Sequence, residues 1–345
     1  MILCIFSIQF CLKSESKIIQ NFYTTRRGEM DNKKLDSFYI YLNSEETAQK
    51  YLFHSYQKLA DVDAEKKSYE NCNAFMYYLT HGREFYKNGQ KLEPLLQPIL
   101  FFYGMVHLLK AVLLTKRPDY PESTTMLAHG VSTRKRKKKQ YKFINDEVKV
   151  QYKGLFPYVM EHLFNKKTMP FSKVTMHRLF SLIPEISPLF HFHGEKHLVK
   201  VGTIGTKHLM FPNHLLDDYH LTKKAFINRL SPYLPDILEG HTSKDLIHLY
   251  LADPFIKQEG PFFIHTDQSI YFPTDRESFF SISEIMVHYL LLYNLSMVSR
   301  YETEWWGDLL VTKPEIDFPL ILRFLKITAH KIPLLLGKEL YKKIC

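Results

Sequence analysis

The chain has 345 residues, 45% of them hydrophobic and 24% charged, which are the proportions of an ordinary folded protein. This composition excludes a disordered tail protein, a collagen-like fibre and a disulfide-stapled miniprotein. The formal net charge is +10, and six of the positive charges lie in one run, which leaves +4 for the rest of the chain. The basic character therefore belongs to one segment.

The first 29 residues begin with an apolar stretch, but it lacks the preceding basic residues and the cleavage site of a secretion signal. The sequence RRGE just before Met30 is what a translated ribosome-binding site would encode. We therefore predict a native start at Met30, with a disordered leader as the alternative. Such a start leaves Cys72 and Cys345, and two widely spaced cysteines without an export signal predict a cytoplasmic protein without disulfides.

Helical patterns frame the rest of the chain. Asn43 and Glu46 form a helix-capping pair, and Pro333 is expected to break the last helix before a short tail. Hydrophobic periodicity predicts helices over residues 43–59, 66–86, 281–301 and 318–330.

Residues 95–114 form the most apolar segment and are long enough to cross a bilayer. Gln97, Pro98, His107 and Lys110 interrupt it, and one central lysine costs ~2.5–3.5 kcal/mol on insertion. The segment is therefore predicted to be a buried core helix, and no membrane partner is expected.

The middle of the chain alternates polar and apolar residues around turn-forming ones and predicts β-hairpins over 140–152, 198–211 and 262–272. The expected fold is mainly α with an α+β insert. The N- and C-terminal helices pack together, because neither apolar face can remain in water. The predicted divisions are an extension (1–29), an N-terminal helical region (30–130), a basic loop with a mixed α/β region (131–280), and C-terminal helices (281–345).

Tyr103, His107 and Lys110 recur at helical spacing and share one stripe of the predicted core helix. Polar groups on a buried helix need partners, since leaving one unpaired costs ~1–3 kcal/mol. The stripe therefore either faces a pocket or is satisfied by neighbouring helices.

The basic run follows His129-Gly130 and precedes an aromatic residue, Tyr141. Adjacent cations attract polyanions, and nearby aromatic rings can stack on bases. A solvated loop between a helix and a hairpin is the alternative. The run consists of Arg134, Lys135, Arg136, Lys137, Lys138 and Lys139.

His191, His193 and His197 lie in the segment HFHGEKH and are the candidate metal ligands. No fourth ligand follows at a recognised spacing, so neither a metal nor another cofactor is predicted.

Several stretches resemble the YaaC-like family of Bacillus-type bacteria. The resemblance implies no established activity, although its members are often encoded beside an enzyme of guanine-nucleotide synthesis, which points to a purine-linked role. The matching stretches are residues 75–79 (FMYYL), 102–105 (FYGM), 108–111 (LLKA), 118–125 (PDYPESTT), 128–131 (AHGV) and 299–301 (SRY) with Trp305-Trp306.

The order of aromatic-Tyr-Gly-Met, His, Leu-Leu-Lys-Ala and His129-Gly130 is also similar to HEPN domains, which are helical bundles that include ribonucleases and nucleotide-binding modules. The resemblance implies a HEPN-like bundle of N- and C-terminal helices around the insert. Nuclease members carry an Arg and, a few residues further along the same helix, a His. Arg323 and His330 fit that spacing. In that interpretation Arg323 binds the scissile phosphate and His330 acts as acid or base.

The leading hypothesis is a non-catalytic cytoplasmic module that binds a nucleotide, RNA or an acidic protein through the basic run and an internal polar site. A metal-independent ribonuclease or nucleotide-processing enzyme is the first alternative. The second is a protein-interaction subunit that regulates a purine-nucleotide enzyme. The residues expected to line or support the internal site are Tyr103, His107, Lys110, His129, Arg300 and Tyr301.

Overall fold

The structure, a computed structural model, describes residues 32–134, 141–256, 260–313 and 315–342. The predicted extension 1–29 and the basic residues 135–139 lie outside this part of the chain. Within it, the helices are α1 (Asn32–Tyr41), α2 (Glu45–Tyr56), α3 (Ala64–Gly89), α4 (Gln97–Leu114), α5 (Leu155–His162), α6 (Met176–Ser181), α7 (Ser187–Phe192), α8 (Leu215–Asp218), α9 (Lys223–Leu230), α10 (Glu284–Tyr301), α11 (Thr303–Thr312) and α12 (Asp317–Tyr341).

The described strands form three small antiparallel sheets, each of three strands. The sheet orders are β1-β2-β3, β4-β9-β8 and β5-β7-β6. The strands are β1 (Val131–Thr133), β2 (Glu147–Val150), β3 (Lys173–Thr175), β4 (Leu198–Thr203), β5 (His208–Pro212), β6 (Ile237–Thr242), β7 (Leu246–Leu251), β8 (Phe263–Ile264) and β9 (Ser269–Pro273). The predicted class, mainly α with an α+β insert, is confirmed.

Helix α4 lies at the centre of the helical part and packs against α3, α10 and α12. Elements from both ends of the chain therefore bury it, as expected for the core helix. By length and composition alone it could also cross a membrane, and 67% of that window is buried inside the fold. Two glycines allow the close contact with α3: a Cβ on Gly82 would lie 2.6 Å from Leu108, and one on Gly104 would lie 2.9 Å from Tyr86.

Two hydrophobic cores divide the described residues. The larger core includes α1–α4, α10–α12 and the segment from Val131 to Leu198. The smaller core extends from Val199 to Phe272 and contains the third sheet, α8, α9 and most of the buried apolar residues of the second sheet, whose Leu198 and Phe263 belong to the larger core. The insert is therefore not uniform, because its first half shares the core of the helices and its second half has a core of its own.

Strand pairing corrects two of the three predicted hairpins. The strand β2 pairs with β1 and β3 rather than within 140–152, because Asp317 accepts the backbone N–H groups of Phe143 and Ile144 and holds them in a 3₁₀ turn. The strands β4 and β5 are consecutive, yet they pair with β9 and β7. The predicted hairpin over 262–272 is confirmed by β8 and β9.

The ends of two helices also differ from the prediction. Ser44, not Asn43, caps α2, since its hydroxyl accepts the N–H of Thr47. Helix α12 continues through Pro333 to Tyr341. Proline cannot donate to the carbonyl four residues earlier, and that carbonyl, on Ala329, instead accepts the side-chain amide of Gln90 at 2.7 Å. A partner from α3 thus replaces the missing hydrogen bond.

A buried charge network joins the insert to the helices. The ammonium of Lys331, on α12, lies 2.8 Å and 2.9 Å from the carboxylate oxygens of Glu185 and also contacts Glu284. It donates to the carbonyl of Ile264 at 2.7 Å. Glu185 precedes α7, Glu284 begins α10 and Ile264 ends β8, so a single side chain connects four separate segments.

Replacing Lys331 should destabilise the fold strongly. The variant Lys331→Met leaves two buried carboxylates without their cation, and breaking a buried pair in this way costs about 3–5 kcal/mol. Urea unfolding of the full chain measures the change. The control is Lys326→Met on the exposed side of α12, which should change the free energy of unfolding by less than about 0.5 kcal/mol. Equal effects of the two substitutions would contradict this role for Lys331.

Candidate functional site

Three residues of the predicted polar stripe share one half-buried face of α4. Tyr103, His107 and Lys110 are each partly exposed, whereas most of their neighbours on the helix are buried. The stripe therefore lies at the border between the core and solvent rather than in a closed interior chamber.

Arg300, near the end of α10, contacts this stripe. Its guanidinium donates to the hydroxyl of Tyr103 at 3.1 Å and to the carbonyl of Ser296 at 2.9 Å. The guanidinium carbon also lies 5.2 Å from the ring centre of Tyr301, a side chain that is 64% exposed. The α10–α4 packing thus brings Arg300 to Tyr103, and Tyr301 lies on the outer side.

His129 completes the group from a third segment. Its ring lies edge-on to Phe102 at 4.9 Å and to Tyr293 at 5.7 Å, and 6.2 Å from Tyr103. The following residue, Gly130, has a φ of +76°, and a Cβ there would lie 2.5 Å from Pro157. Only glycine fits this turn, so the turn fixes the position of His129 above α4.

Two positively charged side chains affect the pKa of His129. Burial lowers the pKa of His129, and the charges of Arg300 and Lys110 lower it further. Burial also lowers the pKa of Lys110, whose ammonium lies 5.4 Å from the ring centre of Tyr78. We call Tyr103, Lys110, His129 and Arg300 the Arg300 cluster.

Neither cation of the Arg300 cluster forms an ion pair with a carboxylate in the part of the chain that the structure describes. The donors of Arg300 go to a hydroxyl, a carbonyl and the sulfur of Met297. Lys110 has a ring as its neighbour. Some other partly buried cations in the fold, such as Arg117 and Lys67, have an acidic partner. The cluster therefore presents uncompensated positive charge beside aromatic faces.

The ring of His107 packs against helix α3. Its ring stacks on Phe85 at 5.7 Å and lies 5.4 Å from His81, on the side of α4 that faces α3. Burial lowers the pKa of His107 to about 4, with further contributions from Lys110 and His81. Its Nδ1 is buried and has no hydrogen-bond partner among the residues that the structure describes. The imidazole is therefore neutral at pH 7 and supports the packing.

The described residues that flank the basic run lie close to α10. Arg134, its first residue, is exposed and directly follows β1. On either side of the run, Thr133 and Tyr141 donate to the same carboxylate oxygen of Asp146, at 3.4 Å and 2.7 Å. Asn294 of α10 donates to that oxygen as well, at 3.0 Å. One carboxylate thus holds Thr133 and Tyr141 against the helix that carries Arg300.

A separate cavity of about 670 Å³ lies along α12. Arg323 and His330 both line it, together with the buried Lys331 and Glu185. The Nε of Arg323 donates to the carbonyl of Glu185 at 3.3 Å. The two residues of the nuclease hypothesis therefore share one cavity, away from the Arg300 cluster in the fold.

The candidate metal ligands separate. His191 and His193 are exposed, in and just after α7. His197 instead lies 2.7 Å from Glu195, which also contacts His177 at 3.1 Å. The sequence pattern thus identified one of the three residues that meet. His177 is missed because it belongs to an earlier helix.

Two tyrosines of the cluster's surroundings are also missed by the sequence argument. Tyr293 packs on His129, and Tyr78 lies beside Lys110. The available signal was on α10, where Tyr289 and Tyr293 stand one turn apart, and Tyr289 donates to the carbonyl of His129 at 2.9 Å.

The fold and the cluster define a mainly helical protein with an α+β insert and a half-buried, positively charged group on its central helix. The model of the YaaC-like protein family matches residues 40–340, so the chain belongs to that family. No curated protein and no solved structure matches the chain. The resemblance to HEPN domains receives no support from these comparisons.

Acid should weaken the fold partly through His107. Its pKa is about 4 in the folded chain and ~6.5 when unfolded. The unfolded chain therefore binds more protons between these values, and stability falls as the pH drops through this window. Urea unfolding at several pH values should show a shallower loss for His107→Leu than for the native chain. The exposed His191→Leu serves as control, and a loss unchanged in His107→Leu would contradict the assignment.

Proposed function

We propose that this protein is a non-catalytic binding module for a phosphate-bearing ligand, a nucleotide or a segment of RNA. The Arg300 cluster binds one phosphate, and the basic run binds further along the same polyanion. Because both cysteines after Met30 are compatible with a reducing compartment, we place this activity in the cytoplasm.

The supporting observation is the pair of half-buried cations, Lys110 and Arg300, without a carboxylate partner among the described residues. Removing a charge from water without pairing it is costly. A phosphate that approaches both groups restores the missing interaction, and the planar guanidinium of Arg300 suits two phosphate oxygens.

Aromatic side chains beside these cations support a nucleotide over a simple anion. The ring of Tyr103 lies next to the guanidinium of Arg300, and the exposed ring of Tyr301 lies on its other side. Base–aromatic stacking contributes about 1–3 kcal/mol per base and tolerates any base. A ligand with a phosphate and a base therefore fits the cluster better than phosphate alone.

The basic run would supply further positive charge for the other phosphates of the same polyanion. The described residues on either side of the run, Thr133 and Tyr141, are held beside α10 through Asp146, and the same helix carries Arg300. Each phosphate that is neutralised releases counterions, which makes binding depend on salt with a slope of about −0.7 per contact for a single strand.

Two sets of substitutions should separate the contributions. With a fluorescent single-stranded RNA as probe, replacing residues 134–139 by Ser and Gln should weaken binding and flatten the dependence of log K on log salt. Arg300→Met should weaken binding by about tenfold or more, as expected for a charge-assisted contact of ~1.5–3 kcal/mol. Fluorescence anisotropy over a salt series measures both effects.

The matched control is Lys224→Met, which removes one exposed positive charge from α9, in the smaller core. It should leave affinity and slope nearly unchanged. If Arg300→Met behaves like this control, the Arg300 cluster is not the binding site. Capture of an acidic protein that survives nuclease treatment, without any RNA affinity, would favour a protein-interaction subunit instead.

A second candidate function is favoured by the cavity along α12. Arg323 and His330 line it together, and its volume of about 670 Å³ is that of a small-molecule site. In this role Arg323 binds the scissile phosphate of RNA or a nucleotide, and His330 transfers a proton without a metal.

Incubation of labelled RNA with the metal-free protein tests this second function. Cleavage by the native chain should fall by about 10²-fold or more in His330→Ala. His54→Ala, an exposed histidine of α2, should cleave like the native chain. Equal cleavage by all three proteins would exclude His330 from the chemistry and indicate a contaminating nuclease.

A further inference from the structure

Three potential metal ligands converge between α6 and β4. The Nε2 atoms of His177 and His197 lie 3.1 Å and 2.7 Å from one oxygen of Glu195. All three ligand atoms lie within 4.8 Å of one another. His177 belongs to α6, Glu195 follows α7, and His197 directly precedes β4.

The surrounding structure fixes the orientation of both imidazoles. Phe190 packs edge-on to His177 at 5.4 Å and to His197 at 4.8 Å. The backbone N–H of Glu195 donates to the carbonyl of Phe190 at 2.9 Å, and the carbonyl of His197 accepts the N–H of Thr274 at 2.9 Å. Ring packing and backbone hydrogen bonds therefore hold the ligand-bearing segments in place, which favours a preorganised site.

The donor set suits zinc. Two imidazole nitrogens and one carboxylate oxygen are ligands that zinc binds at about 2.0–2.2 Å, whereas magnesium and calcium prefer oxygen ligands alone.

Zinc can enter without a large rearrangement. Each imidazole now approaches the same carboxylate oxygen through Nε2, so a cation between the three atoms replaces two hydrogen bonds with coordinate bonds. Each ring then carries its proton on Nδ1 and offers the Nε2 lone pair. The side chains of His177, Glu195 and His197 are 37%, 37% and 21% exposed, so solvent reaches the fourth coordination position.

We propose that His177, Glu195 and His197 form a zinc-binding site with one water-accessible position. All three ligands lie in the segment up to Leu198, which belongs to the larger core, and the smaller core begins two residues after His197, at Val199 of β4. Zinc would therefore bind close to the point in the chain where the first core ends and the second begins. This inference is independent of the proposed anion binding.

The test is to titrate the chelator-treated full chain with zinc chloride and to measure binding by isothermal titration calorimetry. The native chain should bind one equivalent, and zinc should raise its melting temperature by mass action. His177→Ala and Glu195→Gln should each weaken binding by about tenfold or more. His191→Ala and His193→Ala are matched controls from the same segment and should bind like the native chain.

Cobalt(II) adds a spectroscopic readout, because a tetrahedral site with nitrogen ligands gives strong visible absorption that His177→Ala should abolish. Circular dichroism of each variant confirms that the chain has folded. Absence of stoichiometric zinc binding by the native chain would overturn the proposal. So would an equal loss of affinity in His191→Ala, since zinc would then be bound by the exposed histidines.

Discussion

The contact between Lys331 and its two carboxylates determines how the insert sits on the helices. Hydrophobic burial is strong but has no direction, whereas a buried ammonium must be placed where Glu185, Glu284 and the carbonyl of Ile264 meet. A further polar contact joins the same two helices, α10 and α12, because Nδ1 of His288 lies 3.0 Å from the hydroxyl of Thr328. Any other register of α12 against α10 would bury these charges unpaired. The free-energy cost of unpaired buried charges therefore excludes registers that apolar packing alone would allow.

The same helix carries the anchor and the candidate site. Glu284 stands at the beginning of α10 and Arg300 near its end, which is about 24 Å along the axis at 1.5 Å per residue. Lys331 fixes the first turn of α10, and α4 packs along the length of α10. The position of Arg300 beside Tyr103 therefore follows from packing that begins at the opposite end of α10. The buried network and the Arg300 cluster thus depend on one rigid element, although no side chain belongs to both.

Local patterns in the sequence predicted the local features of the structure. The apolar run of α4, its stripe from Tyr103 to Lys110 and the tight β8–β9 hairpin all follow from residues that are close in the chain. The failures have distant causes: Gln90 supports α12 past Pro333, Asp317 holds the turn at Phe143, and β4 and β5 each find a partner elsewhere. The meeting of Arg300 with α4 was a hypothesis about packing, and no periodicity could have indicated it.

Charge compensation distinguishes the two places where an anion could bind. In the cavity along α12, Glu185 and Glu284 already neutralise Lys331, so an anion there would depend on the exposed Arg323 and Lys326 of the lining. In the Arg300 cluster neither cation has a carboxylate partner among the described residues, and their charges add to the effect of burial in lowering the pKa of His129. A phosphate that neutralises Arg300 and Lys110 would remove part of that effect and raise the proton affinity of His129. By linkage, proton uptake at His129 would then strengthen binding of the phosphate by the same free energy, so both ligands, proton and anion, act on one set of charges.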